Sequence, residues 1–159
     1  MSNKTVKFLR GDKFLFDHFK IRQVIGTGNS IVYEVADEEH TIECVKEIRF
    51  DEKQKEFIFI KEIELLSKIK TNPHPNIVEY RGNYVLQEQR GNVNTIKKGY
   101  IQMEKGMANL KTYISQRKTL FDTEDVLMFI TTMIEVFAHL QKSEIAHRDI
   151  KPSNILLFS

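Results

Sequence analysis

The spacing of apolar residues changes once along the chain, and this change restricts the fold more than any other feature. Between residues 19 and 48 apolar positions alternate or form short β-branched runs: Phe19, Ile21, Val24 and Ile25, then residues 31–36, then residues 41–48. The last two runs flank the polar turn Asp37-Glu38-Glu39-His40 and read as a hairpin. Residues 52–70 switch to helical spacing, with Phe59, Ile63, Leu66 and Ile69 or Lys70 on one side, and Pro73 and Pro75 stop the helix. Short strands are expected at residues 77–80, 84–87 and 99–103, with residues 89–98 as a polar, mobile connection. The last third is helical, at residues 109–117 and then from Asp122 or Thr123, as cap, to about Lys142. The second of these helices carries Val126, Ile130, Met133, Phe137 and Leu140, with Phe129, Ile134 and Val136 beside them, so burial on more than one side is expected. A strand-rich part with one helix, followed by a helical part, predicts an α+β fold in two lobes.

Composition excludes several classes. With 41% hydrophobic and 29% charged residues, the chain is neither a disordered nor a low-complexity sequence. Lys and Arg number 24 against 22 Asp and Glu, a balance of +2 that argues against a sequence-independent nucleic-acid binder. The single cysteine, Cys44, has no internal disulfide partner, which points to a reducing compartment. The first ten residues lack the apolar run of a secretory signal, and no stretch is long enough in apolar residues to span a membrane.

Chemistry is concentrated near the end. His147-Arg148-Asp149-Ile150-Lys151-Pro152-Ser153-Asn154 precedes Ile155-Leu156-Leu157, placing a carboxylate, an amine and an amide within six residues. Upstream, Lys46 lies in a predicted strand. Glu62 lies on the apolar stripe of the first helix, between Phe59 and Leu66, where a carboxylate is costly unless paired. Lys46 is a suitable partner. Gly26-Thr27-Gly28 ends the first strand run.

Together these residues resemble the catalytic domain of eukaryotic protein kinases, from about Phe19 to Ser159. The resemblance implies a bilobal kinase-like fold: an extension at 1–18, the small lobe and hinge at 19–105, and the start of the large lobe at 106–159. It further implies ATP and Mg²⁺ as cofactors and a protein bearing a Ser or Thr hydroxyl as substrate. Asp149 would orient the attacking hydroxyl and accept its proton, Lys151 would contact the transferred phosphate, and Asn154 would hold Mg²⁺. Lys46 and Glu62 would form the pair that orients the α- and β-phosphates.

The same resemblance assigns the nucleotide lining. Ile25, Gly26, Gly28, Ser30 and Val32 would belong to the glycine-rich loop, Cys44 would stand above adenine and Leu156 below it. Met103 would be the gatekeeper, and the backbone of Glu104, Lys105 and Gly106 would meet the adenine edge. The glycine loop departs from Gly-x-Gly-x-x-Gly-x-Val. Read with one residue missing, Ser30 takes the third glycine position and Val32 the valine. Read without the gap, Ile31 and Tyr33 take them. The gapped reading is preferred, because a slip of one exchanges the faces of the strand and Val32 suits an adenine roof better than Tyr33. Lys4, Lys7, Arg10 and Lys13 read as a solvated extension.

The Asp-Phe-Gly, activation-segment and Ala-Pro-Glu elements do not occur in the 159 residues. The expectation is therefore a serine/threonine kinase truncated within its catalytic domain, cytoplasmic or nuclear rather than secreted, with the piece itself inactive. A pseudokinase or ATP-binding scaffold is the alternative. Lys151-Pro152 disfavours a small-molecule phosphotransferase. Ser153, where tyrosine kinases typically carry Arg, disfavours a tyrosine kinase.

Overall fold

Alternating β-branched residues in the first hundred positions build a single antiparallel sheet. The computed structural model describes residues 14–15, 19–50, 53–90 and 93–158. The basic residues Lys4, Lys7, Arg10 and Lys13, most of the 1–18 extension, and the helix start expected at residue 52 lie outside them. The described residues form two units: those up to 70 together with 79–105, and those at 71–78 together with 106 onward.

In the first unit, strands β1 (Phe14–Leu15), β2 (Phe19–Gly26), β3 (Ile31–Ala36), β4 (Ile42–Arg49), β5 (Tyr80–Arg90) and β6 (Val93–Glu104) pair in the order β1-β2-β3-β4-β6-β5. The β3–β4 turn is held by Asp37, whose Oδ1 accepts from the backbone N–H of Glu39 (2.9 Å) and Thr41 (2.8 Å).

Two predictions are corrected here. Residues 89–90 and 93–98, expected as part of a mobile connection, belong to the long pair of strands β5 and β6, which pairs from Tyr80↔Met103 out to Arg90↔Val93; residues 91–92 of that expectation lie outside the described residues. Residues 77–79 are not strand; Ile77 N–H closes a turn onto the His74 carbonyl at 3.0 Å.

Residues directly opposite on neighbouring strands share a face of the sheet. One face carries Val32, Glu34, Cys44, Lys46, Ile48, Ile101 and Met103, as the pairs Val32↔Lys46, Glu34↔Cys44, Cys44↔Met103 and Lys46↔Ile101 require. Helix α1 (Lys53–Thr71) covers part of this face, packing Phe59, Ile63 and Leu66 against Ile48, Tyr80, Ile101 and Met103. The other face holds Phe19, Val35, Val45 and Tyr100, with Tyr33, Tyr84 and Leu86 around them. Two buried carboxylates share this face. Glu43 pairs with Arg81 and accepts from Gln102, and Glu47 takes Arg49 Nε (3.1 Å) and Lys98 Nζ (3.0 Å).

The second unit contains β7 (Ala108–Asn109), α2 (Leu110–Gln116), α3 (Thr123–Lys142), a single 3₁₀ turn (Pro152–Asn154) and β8 (Leu156–Leu157). Side-chain caps define both helix starts: Asn109 Oδ1 accepts from Thr112 N–H at 2.8 Å, and Asp122 Oδ1 from Asp125 N–H at 2.7 Å. The 71–78 segment belongs to this unit through Asn72, whose carbonyl lies 2.9 Å from His139 Nε2, and through the His74 and His139 rings, 4.9 Å apart. The broad apolar face of α3 was expected to be buried on more than one side. Among its described residues only Leu140 is buried, while Phe129, Ile130, Ile134 and Phe137 are exposed.

Candidate active site

Strand β4 sets the first group of functional side chains. Lys46 emerges on the α1 side, and its Nζ lies 2.6 Å from Glu62 Oε1. Both side chains are a little over a quarter exposed, at 27% and 29%. Glu62 reaches Lys46 because Phe59, three residues earlier, is buried at 3% exposure and fixes the rotation of the helix.

Val32 shares the face of Lys46 and Cys44, opposite Lys46 on one side and Gly26 on the other. Tyr33 belongs to the opposite face, where its hydroxyl donates to Glu47 Oε2 at 3.4 Å. A β-bulge between Val24 and Gly26 makes the local register shift. A Cβ on Gly26 would stand 3.3 Å from Val32, whereas one on Gly28 would meet open space. Ile25 is exposed and Ser30 half-buried on the same turn.

Cys44 stands between Glu34 and Met103. Burial pushes its thiol up to about 11, so at neutral pH it is an uncharged, small side chain. After Met103, Glu104 is tied to residue 79 twice. Its N–H donates to the Glu79 carbonyl (3.1 Å), and its carboxylate accepts from Glu79 N–H (2.7 Å). Lys105 Nζ pairs with Glu34 Oε2 at 3.0 Å.

The second group is in the other unit. The carboxylate of Asp149 receives Lys151 Nζ at 2.9 Å and Asn154 Nδ2 at 2.8 Å, and Asn154 Nδ2 also donates to the Asp149 carbonyl at 2.9 Å. The bond from Lys151, then that from Asn154, outweighs a slight burial effect and holds the Asp149 carboxyl below the usual aspartate range. The loop is set by Pro152 at the start of the 3₁₀ turn and by Arg148 in the left-handed region, at φ 63°. A non-glycine residue there carries backbone strain of about 1–3 kcal/mol, typical of loops held for function. The β7–β8 ladder then anchors the loop: Asn109 pairs with Leu156, and Met107 N–H donates to the Leu157 carbonyl at 2.8 Å. Gly106 lies so close to Leu156 that an added Cβ would stand 3.0 Å from its Cβ.

The structure thus brings Lys46 to Glu62, and Asp149 to Lys151 and Asn154. Sequence reasoning missed the partnership of Glu34 with Lys105. Its only trace was a carboxylate two residues from Val32, on the same strand face. Among the described residues no group of three or more His, Cys, Asp or Glu side chains is arranged to hold a metal. Asn154 offers a hard amide oxygen, with its nitrogen engaged by Asp149, which suits one ligand position of Mg²⁺ but not a whole site.

The protein kinase domain model matches residues 19–159, and the chain belongs to this family. Its six-stranded sheet with α1 corresponds to the small lobe of the kinase fold, and α2, α3 and the loop at Asp149 to the first elements of the large lobe. It is 27% identical over 147 residues to a probable serine/threonine-protein kinase of Dictyostelium discoideum, covering 89% of this chain and 30% of that protein. It is 30% identical over 152 residues to cyclin-dependent kinase D-1 of Oryza sativa subsp. indica, covering 92% and 33%. With the MAP kinase kinase kinase SSK2 of Saccharomyces cerevisiae it shares 33% over 139 residues, covering 86% and 8%. The chain therefore spans a third or less of the length of these relatives. No helix among the described residues is long and apolar enough to cross a membrane.

Proposed function

We propose that this chain supplies the nucleotide-binding and hydroxyl-orienting residues of a serine/threonine protein kinase, which transfers the γ-phosphate of ATP to Ser or Thr of a protein. The observation that carries the reading is the cluster of Asp149, Lys151 and Asn154 on one short loop. Transfer of a phosphoryl group demands little covalent chemistry and much positioning and charge neutralisation. Asp149, held ionised, accepts a hydrogen bond from the substrate hydroxyl and aligns its oxygen. A carboxyl below the usual range is a weak base, so its main contribution is orientation and electrostatics, with the proton leaving late. Lys151, which pairs with Asp149 at 2.9 Å, shifts onto the transferred phosphate in this reading. Lys46, held by Glu62, is the cation for the α- and β-phosphates.

Asn154 is the Mg²⁺ ligand in this reading. Mg²⁺, when bound, neutralises phosphate charge. The family's second metal ligand, the Asp of Asp-Phe-Gly, does not occur in these 159 residues, so residues 1–159 by themselves are expected to be inactive in transfer. Lys151 and Ser153 support Ser/Thr over Tyr acceptors. A cytoplasmic or nuclear location accords with the single, protonated cysteine.

The test is phosphoamino-acid analysis after incubating the full-length protein with γ-labelled ATP and a mixed Ser, Thr and Tyr peptide library. Label on Ser and Thr is the expected result. Label on Tyr alone would overturn the specificity, and tight ATP binding without transfer would favour the scaffold reading.

A further inference from the structure

Glu34 is the one carboxylate on the Lys46 face of β3, and it is buried, at 6% exposure. Its strand neighbour on that face is Val32, and the residue opposite it is Cys44. A carboxylate in such surroundings is costly unless several donors meet it. Three do. Lys105 Nζ lies 3.0 Å from Oε2, Gln23 Nε2 3.2 Å from Oε2, and Arg22 Nε 3.5 Å from Oε1. Burial pushes the Glu34 carboxyl up, but the bonds from Lys105 and Gln23 and the charges of Lys105 and Arg22 outweigh it and hold it below the usual glutamate range.

The topology makes this cluster a tie across the sheet. Glu34, Cys44 and Met103 follow one another in a line over β3, β4 and β6. Lys105 comes two residues after Met103 and returns over that line to Glu34. The end of β6 and the residue after it are therefore fastened at two points, to residue 79 through Glu104 and to β3 through Lys105. None of the motif residues that carry the kinase resemblance accounts for a carboxylate at position 34.

We propose that Glu34 is a positioning residue for nucleotide recognition, holding Lys105 so that the backbone of Glu104 and Lys105 is preset to meet the adenine edge. This inference rests on the nucleotide-binding reading above. Presetting removes the ordering cost that a free segment meets on binding. Glu34 touches no nucleotide and acts only through Lys105.

The experiment measures the affinity of the full-length protein for MgADP by calorimetry, with thermal melts to establish folding. Glu34→Gln and Lys105→Met are each expected to weaken MgADP about fivefold. The double variant should be no weaker than the worse single, because both changes break the same tie. Lys105→Arg should bind nearly as the wild type. If Glu34→Gln does not fold, Lys105→Met carries the same expectation, since Arg22 and Gln23 still satisfy the carboxylate. Wild-type protein that fails to bind MgADP overturns the nucleotide reading and this inference with it. Wild-type binding with unchanged affinity in both single variants overturns this inference alone, as does an additive loss in the double variant.

Discussion

Gly99→Ala tests how the packing of α1 reaches the Lys46–Glu62 pair. Gly99 lies on β6, opposite Ile48 and Val85. A Cβ built there would stand 2.7 Å from Phe50 Cζ and closer still to the ring of Phe59. The Phe50 and Phe59 rings already touch, with centroids 5.2 Å apart, so neither has an easy retreat. The backbone itself accepts alanine, and removing glycine restricts the unfolded chain, a gain of about 0.4–1 kcal/mol. Forcing one methyl into a filled core costs about 1–3 kcal/mol. The net expectation is a loss of about 1–2 kcal/mol, or roughly 5–15 °C in melting temperature for a unit of this size. Phe59 is three residues before Glu62, so a helix lifted by the methyl also draws Glu62 from Lys46. The control is Gly82→Ala, whose Cβ would make only an ordinary 3.5 Å contact with Gln102 and should be neutral or slightly stabilising. Adding Phe59→Leu to Gly99→Ala should recover part of the loss. Thermal and urea unfolding of the three variants decide the matter. A Gly99→Ala protein as stable as Gly82→Ala would refute the packing argument.

Two further outcomes follow from charge and burial. Glu34 and Glu47 both have carboxyls held below their usual range, against burial that pushes them up, by hydrogen bonds from Lys105 and Gln23 and from Lys98 and Arg49 respectively. The sign is that of a depressed folded-state acid: the stabilisation is present above the unfolded value near 4.3 and is lost as pH falls through the folded values. Urea midpoints should drop on acidification below about pH 4.5, and Glu47→Gln should flatten that drop. The Cys44 thiol, pushed up to about 11, should react slowly with iodoacetamide at pH 7, with a rate that climbs steeply above pH 9 only as the thiolate forms. Fast labelling at pH 7 would show that the burial account of Cys44 is wrong.

How much of this was legible in the sequence depends on the range of the interaction. The loop at Asp149 was legible because its groups lie within six residues and the 3₁₀ turn after Lys151 brings them together. Glu62 was legible because helical spacing puts it on the stripe of Phe59 and Leu66. The long β5–β6 hairpin was not, since its outer half is polar and gives no apolar alternation, although Gly91-Asn92 between the strands is a hairpin signal in its own right. The buried states of Glu34, Glu43 and Glu47 were equally hidden. Each pairs with a cation far away in sequence, such as Arg81 or Lys105, and only the strand register brings them together. The exposed face of α3 shows the converse. Its apolar pattern is plain in the sequence, but the burial expected from it is not found among the described residues, because pattern alone does not say what covers a face.

The most direct measurement of the central claim compares wild type with Asp149→Asn for both ATP binding and phosphoryl transfer in the full-length protein. Asn keeps the shape of Asp149 and removes the charge that Lys151 faces at 2.9 Å. The account predicts that ATP affinity stays within about threefold while transfer falls by about a thousandfold or more, the scale on which lost electrostatic positioning acts. Transfer by Asp149→Asn at more than a tenth of the wild-type rate, with binding intact, would contradict the assignment of Asp149 and the catalytic reading built on it.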